Sequence, residues 1–115
     1  MPIDTILGGV QAGSVTEVYI YNALAKYEIP FDYQVPLFGG KSVSGGQVLD
    51  FLVYIPYKQP IQTMGPHWHT GHLGVNDAFK LARISSYYGR ETLVVWSFQV
   101  DSQEDGFNWV KKNCL

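Results

Sequence analysis

Apolar and polar residues alternate along this 115-residue chain with two periods, one helical and one extended. Glu17, Ile20, Tyr21, Leu24 and Tyr27 share one face at helical spacing, and Ser14-Val15-Thr16-Glu17 fits a capping box. The pattern predicts a helix over 15–28 that stops before Pro30. Residues 31–38 alternate like a strand, and the glycine-rich segment 39–46 reads as a hairpin loop. Residues 47–55 are apolar on both faces apart from Asp50, the pattern of a central strand. A turn over 56–60 leads to a third strand over 61–64, then a loop over 65–72. A second helix spans 75–88, with Ala78, Leu81, Ala82 and Ser85 as its small or apolar stripe and Gly89 as its stop. A buried strand over 92–98 and a short helix over 103–112 follow, and residues 1–13 read as irregular. The order is α-β-β-β-α-β-α, an α/β (α+β) chain with a mixed sheet in a single domain over 1–115.

The composition, 46% hydrophobic and 16% charged, is that of a packed globule rather than a disordered chain. No apolar run reaches the roughly 18 residues of a membrane span, and the first residues do not read as a signal peptide. Cys114 is the one cysteine, so an intrachain disulfide and a cysteine-held structural zinc are both excluded. These features lead to the expectation of a cytoplasmic protein with no membrane partner, in a bacterial or phage-infected cell. A net charge of −2 does not by itself favour nucleic acid. Local basic positions remain: Lys41 in the glycine-rich loop, Lys58 in a turn, and Lys80, Arg83 and Arg90 on or just after the second helix.

The chemistry-bearing residues collect around one strand. Asp50 is a carboxylate in an otherwise apolar strand, and burying it is costly unless a cation, proton or donor compensates. A divalent cation would turn that penalty into binding energy, because hard cations prefer carboxylate oxygens. The plain alternative is a surface aspartate on an edge strand. Glu17 sits at the end of the core-facing stripe, or simply closes the capping box on Ser14. His67, Trp68, His69 and His72 follow the third strand, and a histidine beside a metal-bound water is a natural general base. Their His-x-His-x-x-His spacing also permits a zinc site made only of imidazoles. Asp77 lies in the first turn of the second helix, where an acid is common. Gln62 and Met64 stand where many nucleases of related architecture carry a metal-binding glutamate and a lysine.

Leu49-Asp50-Phe51, the run Ile61-Gln62-Thr63-Met64-Gly65-Pro66-His67-Trp68-His69 and Thr92-Leu93-Val94-Val95-Trp96 resemble the very-short-patch-repair (Vsr-like) endonucleases. They are also similar to the related homing endonucleases named for a Glu-Asp-x-His-Asp pattern, within the PD-(D/E)XK nuclease-like fold. The likeness runs from about Glu17 to Trp96. It implies a restriction-endonuclease-like core and a Mg²⁺-dependent DNA endonuclease, with Mn²⁺ able to substitute. By the resemblance, Asp50 and the Thr63 carbonyl would hold the ion and His69 would activate the attacking water. Glu17 would orient His69 or a bound water, and Asp77 would complete the site. Trp68 would be an aromatic wedge on DNA, with His67 and Lys41 as further candidate DNA contacts.

The chain departs from the repair enzymes at Met64, where they carry a histidine, and in lacking the cysteines of their zinc site. Two other readings stay open: a binding or assembly module that keeps the fold without catalysis, and the imidazole-based zinc hydrolase. A monomer would nick DNA; a homodimer would make paired cuts or resolve DNA junctions.

Overall fold

The computed structural model describes residues 5–65 and 74–115. It has a mixed four-stranded sheet with helices on both faces. The sequence leads residues 1–13 to be read as irregular; instead β1 (Ile6–Leu7) and β2 (Val10–Gln11) form a small antiparallel hairpin. Its two-residue turn is Gly8-Gly9, both at positive φ, which is the conformation such hairpins need. Then come α1 (Val15–Lys26), β3 (Phe31–Leu37), β4 (Gln47–Val53), β5 (Gln59–Met64), α2 (Val75–Tyr88), β6 (Leu93–Trp96) and α3 (Gln103–Cys114). From α1 onward the predicted order α-β-β-β-α-β-α is present.

The sheet runs β3-β4-β5-β6. The first three strands form an antiparallel meander, and β6 returns parallel to β5 through the crossover that contains α2. β4 is therefore an interior strand, which removes the surface-edge alternative for Asp50. One face of the sheet carries Phe51, Val53, Ile61 and Val95 against Ile20, Ala23 and Leu24 of α1 and Val110 of α3. Leu37, Leu49 and Leu52 cluster with Ile84 of α2. On α2 the buried positions are Leu81 and Ile84, while Ala78 and Ala82 are exposed. The stripe is thus rotated from the expected one, because the larger side chains take the sheet-facing positions and remove more apolar area from water.

α1 and α3 touch closely at Gly106, where an added Cβ would lie 2.7 Å from the Tyr19 carbonyl oxygen. Gln103 fastens the same junction by donating to the Tyr19 carbonyl at 2.8 Å and accepting from Asn22 at 2.9 Å. Both helices start on a serine cap: Ser14 accepts from the Glu17 amide and Ser102 from the Asp105 amide. No described helix is long and apolar enough to cross a membrane.

Candidate active site

The sheet divides at Asp50. β4 and β5 pair from Val53–Gln59 to Phe51–Ile61 and no further. β5 keeps its register with β6 through Met64–Trp96. β5 thus leaves β4 while staying joined to β6, and side chains replace the missing backbone bonds. The Thr63 amide donates to Asp50 Oδ2 at 2.9 Å and the Thr63 hydroxyl to the same oxygen at 2.8 Å. The Asp50 amide in turn donates to Gln62 Oε1 at 3.0 Å.

β3 is distorted opposite the same point. Its register with β4 steps from Tyr33–Phe51 to Val35–Leu49 with no Gln34–Asp50 pair, and Gln34 has φ 57°. Strict alternation would put Leu49 and Leu52 on opposite faces, yet both join the cluster around Ile84. The phase slips by one position between them, and Asp50 turns toward α1.

Glu17 meets it there. Only 6% exposed, it accepts three hydrogen bonds: from the Ser14 hydroxyl at 2.9 Å, the Tyr33 hydroxyl at 2.6 Å and Gln34 Nε2 at 2.9 Å. The two sequence readings of Glu17 therefore coincide, with a variation. The carboxylate accepts from the hydroxyl of the cap residue, and the cap oxygen accepts from the Glu17 amide at 3.2 Å. Gln34 Nε2 also reaches Asp50 Oδ1 at 3.4 Å, so one carboxamide bridges both acids. Tyr33 and Gln34 were not singled out from the sequence, where they read as ordinary positions of an alternating strand.

The division opens into a cavity of about 820 Å³ lined by Gly13, Glu17, Asp50, Gln62, Thr63 and Gly65 among others. Phe98 is 54% exposed on its wall and stacks on Trp96, centroids 5.9 Å apart and planes 18° apart. The Ser97 hydroxyl, on the same wall, is buried and has no hydrogen-bond partner among the described residues.

Burial, and then the charge of Glu17, push the Asp50 carboxyl from its ordinary 3.8 up to about 7; the Thr63 and Gln34 donors pull the other way. Burial and the bond to Glu17 raise the Tyr33 phenol far above its usual range, so it stays a proton donor to Glu17. For Asp50 the stability consequence has a definite sign. In the unfolded chain an aspartate titrates near 4, so between about pH 4 and pH 7 the folded protein keeps a proton that the unfolded chain has lost. Stability contributed by this group is present below pH 4 and is lost as pH rises to 7. With allowance for water in the cavity the loss is on the order of 2 kcal/mol. Denaturant unfolding of wild type and Asp50→Asn across pH 4–8 should show a decline in the wild type that the variant lacks. Parallel curves would mean that the carboxylate is not held unfavourably.

Of the residues singled out from the sequence, Glu17, Asp50 and Thr63 come together in this cavity. Asp77 and Lys41 instead line a second pocket of about 280 Å³, which shares Gln62 and Met64 with the first. His67, Trp68, His69 and His72 lie outside the described residues. Gly65, which lines the cavity, is the last described residue before them.

Among the described residues no group of three or more His, Cys, Asp or Glu gathers as a metal site. The acidic set is the pair Glu17 and Asp50, and its fit to a hard cation rests on donor chemistry. All the candidate donors are oxygens, and the pair is destabilised by its own proximity, which a cation relieves. Thr63 adds to this set. Ser97 donates its amide to the Met64 carbonyl, so Met64 presents its backbone groups to β6 and Thr63 presents its own to the β4 side. Its amide is on Asp50, and its carbonyl is turned the same way. The oxygen donors described on this wall are of the type that hard divalent cations take.

Comparison of the chain with known protein families, with curated proteins and with solved structures finds no match.

Proposed function

We propose that this protein is a metal-dependent DNA endonuclease of the Vsr-like, restriction-endonuclease-like kind. The observation that carries the reading is the juxtaposition of Glu17 and Asp50 where β4 and β5 part, beside the backbone of Thr63. Two acids placed against each other in a cleft, one of them pushed toward neutrality, are costly to the fold and are characteristic of a functional site.

Asp50, the Thr63 carbonyl and Glu17 would hold Mg²⁺, which when bound stabilises the charge that develops on the phosphate and on the leaving oxygen. Asp50 must first give up its proton, and the Thr63 amide and hydroxyl hold its Oδ2 in place as it does so. Tyr33 and Ser14 fix the Glu17 carboxylate by donating to its two oxygens. In the reaction a water oxygen attacks phosphorus, the bond from phosphorus to the sugar oxygen breaks, and His69 takes the water's proton. Trp68 and His67 would meet the DNA, and the exposed Phe98 ring on the cavity wall offers a flat surface for a base. Lys41 would contact the backbone from the second pocket, where Asp77 also lies.

The test is direct. Purified protein should convert supercoiled plasmid to nicked circles with Mg²⁺ or Mn²⁺, and EDTA should stop it. Thr63→Ala should lose only a few-fold in rate, because it removes the hydroxyl bond to Asp50 but keeps the backbone carbonyl. Failure to cut plasmid, forked or branched DNA with either ion would sink the proposal. A Thr63→Ala loss equal to that of an Asp50 substitution, in a folded protein, would contradict the carbonyl role.

One observation favours the non-catalytic module. Gln62 Oε1 is occupied by the Asp50 amide, and Met64 brings no charge. Calorimetry separates the two readings: the module binds no divalent cation, while the enzyme does.

A further inference from the structure

Gln34 holds a conformation that nothing in its strand requires. It lies inside β3 at φ 57°, a region that is strained for a residue with a Cβ. No turn occurs there, since β3 continues to Leu37 and pairs with β4 on both sides of it. The conformation instead directs the carboxamide between two acids from different elements. Nε2 lies 2.9 Å from Glu17 Oε1 and 3.4 Å from Asp50 Oδ1. An amide nitrogen has two hydrogens and can serve both oxygens at once. A cation bridging Glu17 Oε1 and Asp50 Oδ1 would sit where the Nε2 group now lies, and the two cannot occupy that place together.

We infer that Gln34 is a positioning residue that stands in for the cation. Its carboxamide holds Glu17 and Asp50 together while the metal is absent and leaves them when a divalent ion binds. The inference rests on the metal reading given above and adds that the ion competes with a side chain of the protein itself. The site is then partly self-sealed: the carboxamide bonds both acids without metal, and the affinity for metal is lower than the bare carboxylates would give.

The test uses the full chain at pH 8 as wild type, Gln34→Gly and Gln34→Asn. Glycine relieves the backbone and removes the amide. Asparagine tolerates the left-handed backbone but is one methylene too short to bridge. It also serves as the second variant if glycine loosens the strand. Mn²⁺ is titrated by calorimetry, and the rise in Tm on adding Mn²⁺ is measured for each protein. Both variants should bind Mn²⁺ on the order of tenfold tighter than wild type, because no charge-assisted hydrogen bonds have to be broken. Both should also gain more in Tm. Equal affinity in all three would overturn the inference and leave Gln34 a residue of the fold. Weaker affinity in the variants would overturn it as well, making the side chain a ligand. If wild type itself gives no heat and no shift in Tm, the metal reading falls and this inference with it. A response in wild type without the tightening sinks only the role of Gln34.

Discussion

If the protein is the proposed nuclease, Asp50→Asn should eliminate DNA cleavage while leaving the protein folded and, above pH 7, more stable than wild type. The substitution keeps the shape of the side chain and an oxygen to accept from Thr63 at the place of Oδ2. It removes the charge, which is the property a cation needs. The electrostatic contribution of a metal to phosphoryl chemistry is several kcal/mol, so the rate should fall by on the order of a thousandfold. In stability the change works the other way. Asp50 is costly as an anion because it is half-buried and partly desolvated beside Glu17, and an amide in its place carries no such penalty. Loss of activity together with gain of stability is the combination expected where a fold tolerates strain for function. A plasmid-nicking assay and a denaturant melt on the same preparation read both quantities. Retention of cleavage in Asp50→Asn would rule out the assignment of Asp50 to the ion.

The second large effect lies away from the cavity. Gly106 is in the first turns of α3, where alanine ordinarily improves a helix by about 1 kcal/mol over glycine. Here the sign should reverse. The new methyl would sit 2.7 Å from the Tyr19 carbonyl oxygen and 3.0 Å from its carbonyl carbon, both backbone atoms of α1 that no rotamer change can move. Separating the helices would open the cluster that holds Ile20, Leu24 and Val110. Gly106→Ala should therefore cost about 2 kcal/mol, and Gly106→Val more than about 3 kcal/mol. Chemical denaturation measures this, and a neutral or stabilising Gly106→Ala would show that the helices have room to part. Because α1 carries Glu17, a variant that survives should also cleave more slowly.

How much of this was legible in the chain depends on the residue. α2 was bounded correctly because Gly89 takes the left-handed position that ends it, at φ 68°. Asp50 stood out because a carboxylate interrupts an apolar run, and its placement on an interior strand follows from that run being apolar on both faces. The hairpin of β1 and β2 was missed although its signal was present, a Gly-Gly pair between short apolar segments. Other features had no local signal. The slip of phase at Asp50 depends on Gln34, a residue 16 positions earlier, adopting a backbone that its own type does not favour. Periodicity assumes unbroken strands, so it cannot reveal where two strands part. The supports of Glu17 from Tyr33 and Gln34 arise from that same distortion. The rotation of the buried stripe on α2 is set by which side chains the sheet can accommodate, which the spacing of alanines does not encode.

The docking of α3 on α1 bears on the order in which the molecule assembles. The Gln103 contact to Tyr19 joins residues 84 positions apart, whereas Glu17, Gln34, Asp50 and Thr63 follow one another within the first part of the chain. A contact of such long sequence separation is expected to form late on a pathway where nearby contacts form first. The cluster of acids is thus drawn together by the meander and α1, and the C-terminal helix then acts as a latch on α1. Weakening that latch should raise the unfolding rate far more than it slows folding.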